Sequence, residues 1–350
     1  MASTADGAAA SPPKSKSPSP EVAAPVNPGT IIVADDNADV DSTYESLYSD
    51  STSLASSVLK LRSENGRKYH SYKPEKGYIL PSDEEESMRL DLQHYVFLLT
   101  FDNALHLSPA GRDGKPLKRV LDAGTGTGIW AIEWADEHPE SHVIGVDLAA
   151  NQPTFVPPNV NFHIDDIEED WTYTEPFDFI YGRMLTGALT DWPKFFRQSF
   201  THLRPGGWLE LADISFPVRS DDDTLPADSA LLKLGQYSIE AGERLNHSVE
   251  SAKHYRRQME EAGFVNITEL HFKWPMNSWP KDAKYKEIGA YTYQNFSSGL
   301  YGLSVALLNR GLGWSVEEVQ VFLAQCRKEL ADRSIHGYWP IVVVYGQKPE

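Results

Sequence analysis

One cysteine, Cys326, is all that 350 residues contain. That scarcity rules out a disulfide framework and a thiolate zinc site, and it fits a reducing, intracellular setting. No apolar run approaches the roughly 18 residues of a membrane span, and the N-terminus carries no apolar signal-peptide segment. The chain is therefore expected in the cytoplasm or nucleus, neither secreted nor membrane-inserted. Basic residues are also short: 32 Lys and Arg stand against 50 Asp and Glu, a formal net charge of −18. A surface of that sign repels nucleic-acid backbones, which argues against direct binding of DNA or RNA. A small neutral molecule or a basic protein suits it better. No spacing of His, Cys, Asp or Glu suggests a metal site.

What is present is concentrated in Val120-Leu121-Asp122-Ala123-Gly124-Thr125-Gly126-Thr127-Gly128-Ile129-Trp130 and Val143-Ile144-Gly145-Val146-Asp147. The pattern reads as a buried strand, a glycine turn opening a helix, and a second strand ending in a lone carboxylate, the layout of a nucleotide-cofactor site. Asp147 lies 19 residues past Gly128, where a carboxylate can take both hydroxyls of a ribose. Glycine spacing then chooses the cofactor. Dinucleotide sites use G-x-G-x-x-G, but the position after Gly128 is Ile129. The compressed G-x-G-x-G form, with Asp122 two residues ahead, is that of class I methyltransferases using S-adenosylmethionine. A nicotinamide-dependent oxidoreductase is disfavoured by Ile129 and by the placement of Asp122.

Strands are expected at 119–123, 142–147, 160–164, 177–182, 208–214, 267–274 and 340–347, with helices at 129–137, 191–203 and 255–262. The alternation implies a doubly wound α/β sheet, mostly parallel. An insertion over 277–336 carries helices near 283–295, 303–311 and 315–332, and a C-terminal strand returning antiparallel would complete a class I methyltransferase topology. Residues 118–350 thus read as the methyltransferase domain. Residues 1–38 have the Ala, Ser, Pro and acidic composition of a disordered tail, with Lys14 and Lys16 too sparse for a nuclear import signal. Residues 39–117 read as a helical cap. Helical patterning runs over 44–65, and Ser82-Asp83-Glu84-Glu85-Glu86 opens a helix, with Ser82 as cap and Glu85 at N3. That helix, 86–105, carries Met88, Leu92, Tyr95, Leu99 and Phe101 on broadly one face and is placed to cover the cofactor cleft.

The cofactor positions expected from this pattern are Asp122, Gly124, Thr125, Gly126, Gly128, Asp147, Leu148, Asp166, Ile167 and Arg183. After the third strand, Asp165 or Asp166 can accept the adenine N–H; Asp166, just before Ile167, is the choice. Trp171 is a candidate wall of the adenine pocket or a core anchor. Arg183 ends the fourth strand on the cleft side, suited to the cofactor's carboxylate, to a substrate, or to a structural ion pair. Leu203-Arg204-Pro205-Gly206-Gly207 reads as a helix stop and turn. His94, His336, Tyr338, Tyr72 and Tyr78 are polar aromatics near cleft elements, able to act as a base or to position a substrate. His94 and His336 are the first candidates for a catalytic base.

Beyond the cofactor loop, Gly77-Tyr78-Ile79-Leu80-Pro81, Arg89-Leu90-Asp91-Leu92-Gln93-His94, Gly182-Arg183-Met184-Leu185, Asp191-Trp192, Gly311-Leu312-Gly313-Trp314-Ser315 and His336-Gly337-Tyr338-Trp339-Pro340 extend a likeness over the chain from about Tyr69 onward. Together they resemble the LaeA-like methyltransferases of filamentous fungi, tied to secondary metabolism. The resemblance implies a class I fold and S-adenosylmethionine as cofactor. It implies one of two roles: a tailoring enzyme methylating an O or N of a small-molecule metabolite, or a nuclear regulator of metabolite gene clusters working with velvet-type protein partners. It brings no catalytic residue with it.

Overall fold

Four apolar segments with tight turns set the architecture, seen here in a computed structural model that describes residues 61–70, 77–112 and 114–350. Arg119–Ala123 (β3), His142–Asp147 (β4), Val160–Ile164 (β5) and Phe177–Arg183 (β6) are joined by crossovers too long for hairpins, so they pair in parallel. β3, β4 and β6 are buried almost throughout, as strands covered on both faces must be. Leu203–Ile214 (β7) continues the parallel set beside β6. Val265–Pro275 (β8) and Tyr338–Gln347 (β9) close it, β9 running antiparallel between β7 and β8. The order is β5-β4-β3-β6-β7-β9-β8. Chain direction across the sheet reverses between β3 and β6, and α/β folds bind ligands in the crevice at such a point.

Ile129–Glu137 (α2) lies against β4 and β5, whereas Trp192–His202 (α3) and Tyr255–Ala262 (α5) pack near β7, β8 and β9. Glu84–Thr100 (α1), Ala230–Leu245 (α4), Ala283–Leu312 (α6) and Val316–Ala331 (α7) form a helical layer, with α6 touching the other three. Their shared core includes Phe97, Leu231, Phe296, Leu308 and Leu323, and it meets the sheet at Trp274, Trp339 and Ile341.

Several expectations change. Leu61–Glu64 (β1) and Arg67–His70 (β2) form a hairpin where the end of a helix was expected. Asn65 and Gly66 both adopt positive φ, the Asn-Gly signature of a tight hairpin turn. The expected tail at 1–38 and the helical patterning over 44–60 lie outside the described residues. α1 is capped by Asp83, which accepts from the Glu86 N–H, not by Ser82. Its buried face is only partly the expected one: Phe101 is buried and Leu99 packs on the core, but Met88 and Tyr95 are exposed, while Glu86, Arg89, Gln93 and His94 point inward beside Val96 and Phe97. α6 is one helix of 30 residues instead of two, and α4 occupies a stretch where no element was expected. The turn at 204–207 falls inside β7 as an irregularity of register, with Gly206 at φ +77°.

Candidate active site

The β3–α2 turn is pinned from both sides. Gly124 and Thr125 donate their N–H groups to the Val146 carbonyl, both at 2.9 Å. Thr125 Oγ1 donates to Asp122 Oδ2 at 2.5 Å. Gly126 N–H donates to Asp147 Oδ2 at 2.8 Å, and Ala149 N–H to Asp147 Oδ1 at 3.0 Å. Burial pushes the Asp122 and Asp147 carboxyls up to about 6 each, against the hydrogen bonds they accept. Gly126 holds φ +59°, and a Cβ there would stand 3.3 Å from the Leu90 side chain of α1. Gly128 caps α2 at φ +82°, where a Cβ would collide with Phe162.

Two cavities, about 290 and about 120 Å³, meet at Tyr78, Gly124, Asp147, Leu185 and Ala188 and form one cleft along the strand ends. The larger is walled by Asp147, Leu148, Asp165, Asp166 and Ile167. Asp166 is buried and accepts the Glu168 N–H at 2.9 Å, while Asp165 is exposed and accepts from Asp166 N–H. The smaller carries Asp122, Thr125, Gly126, Glu86, Arg89 and Arg183. Gly128 lines neither; its place is the tight opening of α2.

This donor set fits S-adenosylmethionine. Asp147 offers a carboxylate to a ribose diol, Leu148 and Ile167 offer apolar contact to a purine, and Arg183 is a cation for an amino-acid carboxylate. Among the described residues the arginines lining the cleft are Arg89 and Arg183. Arg89 is already paired with Glu86, which leaves no cluster suited to a pyrophosphate.

α1 presents its polar face to this loop. Asp91 accepts from Thr127 Oγ1 at 2.6 Å, and Arg89 binds Glu86 through Nε and Nη2 and Asn295 Oδ1 through Nη1. His94 takes a hydrogen bond at Nδ1 from Arg183 Nη2 (2.9 Å) and lies 2.8 Å from Glu133 Oε2 through Nε2. Arginine can only donate, so the His94 proton sits on Nε2 and points to Glu133. Burial lowers the pKa of His94 and favours that neutral ring. Both ring nitrogens are therefore occupied, and His94 positions Arg183, whose guanidinium also lies 4.8 Å over the Phe97 ring.

The other candidates separate. Tyr78 lines both cavities, its hydroxyl pushed well above the usual tyrosine range by burial. His336 is not at the cleft: it binds Asp222 at 2.5 Å and packs on Trp279 in the turn before β9. Tyr338 donates to Asp221 and likewise lines none of the cavities described here. Both lie where β9 begins, which is the cleft end of the sheet because β9 runs antiparallel to β7, but on the far side of β7 from the crevice between β3 and β6. Trp171 donates to the Ile167 carbonyl and packs against Phe195, behind the adenine side of the cleft. Tyr72 lies outside the described residues.

Sequence reasoning missed a third cavity, about 130 Å³, enclosed by α1, α4, α6 and the ends of β7 and β9. Its wall is apolar, with Ile79, Leu231, Leu300 and the stacked pair Phe296 and Trp339, whose ring centroids are 3.8 Å apart. It opens on the cleft at Leu80, Arg89, Gln93 and Met184. Met184 holds φ +53°, an uncommon conformation for a side chain of that length. The turn that follows is fixed by buried Asp213, which accepts from Leu185 N–H, Thr186 N–H and Tyr255 Oη. The available signal was the motif Arg89-Leu90-Asp91-Leu92-Gln93-His94, too polar for a plain packing helix.

A methyltransferase domain family matches residues 92–269. The methyltransferase pytC of Aspergillus terreus is 40% identical over 314 residues, covering 89% of this chain and 96% of its own. The probable methyltransferase tdiE of Emericella nidulans is 40% identical over 75% of this chain and 82% of its own. The secondary metabolism regulator LAE1 of Cochliobolus heterostrophus is 36% identical over 82% of this chain and 94% of its own.

Proposed function

Since this chain belongs to the LaeA-like S-adenosylmethionine-dependent methyltransferases of filamentous fungi, we propose that it methylates an oxygen or nitrogen of a small-molecule metabolite. The observation that carries this reading is the largely apolar cavity opening directly on the cofactor cleft. An acceptor held there would reach the cleft beside Gln93 and Met184. Relatives named as methyltransferases and as a secondary metabolism regulator place the activity in fungal secondary metabolism.

In this reading Asp147 holds the ribose, Leu148, Asp166 and Ile167 the adenine, and Asp122, Thr125 and Arg183 the amino-acid end, with Gly124, Gly126 and Gly128 shaping the turn. The cofactor supplies a methyl group already activated by its positive sulfur. The protein's task is alignment and exclusion of water, and a well-aligned pair gains several powers of ten in rate over free encounter. The division into a cap over 39–117 and a catalytic domain over 118–350 belongs to the same proposal: α1 supplies Arg89, Gln93 and the His94 support of Arg183, and the catalytic domain supplies the rest.

Incubation with methyl-labelled cofactor and a fungal metabolite extract tests it. One or more small molecules should gain a single labelled methyl. Label found only in protein would sink the small-molecule reading and favour a second one, in which the chain acts like its relative named a secondary metabolism regulator, with a protein acceptor and a velvet-type partner in the nucleus.

A further inference from the structure

We propose that the acceptor is a phenol or enol whose single ring fills the apolar cavity and whose hydroxyl is read by the side-chain amide of Gln93 at the cavity mouth. The inference rests on the small-molecule reading above and names its substrate class.

Size comes first. A cavity of about 130 Å³ is close to the roughly 150 Å³ apolar cavity known to take up benzene. One ring fits; a fused polycycle would have to leave its other rings outside. The wall suits a flat apolar group, because Phe296 and Trp339 present aromatic surface and Leu231, Leu234, Leu300 and Leu307 complete it. Burial of a ring against such a wall is driven by removal of apolar surface from water.

Chemistry at the mouth comes second. Of the four residues shared with the cofactor cleft, Leu80 and Met184 are apolar and Arg89 is committed to Glu86 and Asn295. Gln93 remains. Only 6% of its surface is exposed, and among the described residues its amide has no hydrogen-bond partner. Lining both the cavity and the cleft, that amide is uncommitted within the protein and open to a polar group of whatever enters. Glutamine is neutral, offering a carbonyl that accepts from a hydroxyl and an N–H that donates to an ionised oxygen. With Arg89 neutralised by Glu86, the mouth carries no net charge to draw a carboxylate or an ammonium.

The proton comes third. Asp213 also lines the cavity, but its oxygens accept from Leu185, Thr186 and Ile214 N–H groups and from Tyr255 Oη, which commits it to the turn. Gln93 cannot take a proton. The acceptor must then lose its own to water, which phenols (pKa about 10) and the more acidic enols do far more readily than an alkanol. The oxygen's lone pair forms the new bond to the methyl carbon as the carbon–sulfur bond breaks. That bond's electron pair returns to sulfur, and the hydroxyl proton leaves to water.

The test uses the full chain saturated with S-adenosylhomocysteine and titrated by calorimetry with 4-methylphenol or toluene. Both should bind, the phenol about fivefold or more tightly, the share of one neutral hydrogen bond. Gln93→Met, which keeps the length of the side chain, should erase that preference while toluene still binds the S-adenosylhomocysteine-saturated protein. Ser238→Leu, which narrows the cavity, should weaken both ring probes alone. Equal affinity of the two probes for the unaltered protein, or a preference that survives Gln93→Met, would overturn the role of Gln93. Tight S-adenosylhomocysteine binding with no ring binding would overturn the acceptor cavity, whereas failure to bind S-adenosylhomocysteine would instead refute the cofactor assignment beneath it. In turnover, the limb on which kcat/KM rises with pH should move to lower pH when 4-nitrophenol replaces 4-methylphenol. A limb fixed at one pH for both would reveal an enzymic base and overturn the proton argument.

Discussion

Replacing Asp147 with alanine is the sharpest perturbation of the cofactor cleft. The carboxylate accepts two backbone N–H groups, from Gly126 at 2.8 Å and Ala149 at 3.0 Å. Those bonds exist with or without a ligand, so their loss appears in folding and cancels in binding. What binding loses is the pair of hydroxyl donors from the ribose. Hydrogen bonds to a charged acceptor contribute about 1.5–3 kcal/mol, so the dissociation constant for S-adenosylhomocysteine should rise roughly 10- to 150-fold. The orphaned N–H groups face the cleft and can be met by water, so Asp147→Ala should remain folded with a slightly lower melting midpoint. Calorimetric titration beside circular dichroism separates the two effects. A folded variant whose affinity falls less than about threefold would refute the ribose role of Asp147 and with it the placement of the adenosine.

Cofactor affinity should also depend on pH through the same group. Burial raises Asp147 to about 6, so the carboxylate is ionised above that value and protonated below it; affinity should hold above pH 6 and fall as pH drops through it, and Asp147→Asn should make the fall shallower in a titration series, leaving the part that belongs to Asp122. Gly126→Val forces a β-branched residue to φ +59° and against Leu90; strain of about 1–3 kcal/mol should lower the melting midpoint and, where the turn shifts to relieve it, weaken S-adenosylhomocysteine binding roughly fivefold or more, and retained affinity would undo the glycine-turn argument. His94→Ala should release Arg183 and cost about 1 kcal/mol in affinity for S-adenosylmethionine while leaving its decarboxylated analogue unaffected, a contrast that equilibrium binding reads directly. His336→Ala should change neither cofactor affinity nor turnover; a large loss of kcat would return that histidine to the site.

The parallel core was legible because its signals are local. β3, β4, β5, α2 and α5 begin and end where apolar runs and turn residues put them. The helical layer was less legible, and its glycines explain why. Gly299 and Gly302 interrupt the pattern of α6 and read as a break between two helices, since glycine costs about 1 kcal/mol in a helix interior. In the fold they mark close approach: a Cβ on Gly299 would strike Arg89, and one on Gly302 would strike Arg67. Gly235 and Gly242 do the same for α4, against Pro217 and the His247 carbonyl. The inward polar face of α1 was hidden for a related reason. Glu86, Arg89 and His94 are satisfied within their own helix or by Asn295, Arg183 and Glu133, partners no local pattern reveals. Cofactor candidates came from the glycine turn and from the ends of the next three strands, and all but Gly128 line one cleft, whereas His336 and Tyr338 were chosen by residue type alone and lie elsewhere.

Titration of the purified protein with S-adenosylmethionine, S-adenosylhomocysteine and NAD tests the central claim most directly. The account predicts binding of the first two at roughly micromolar strength and none of NAD, because among the described residues the cleft pairs a ribose carboxylate with one arginine outside an ion pair, Arg183, and no phosphate cradle. Binding of NAD, or of none of the three by a folded protein, would contradict it.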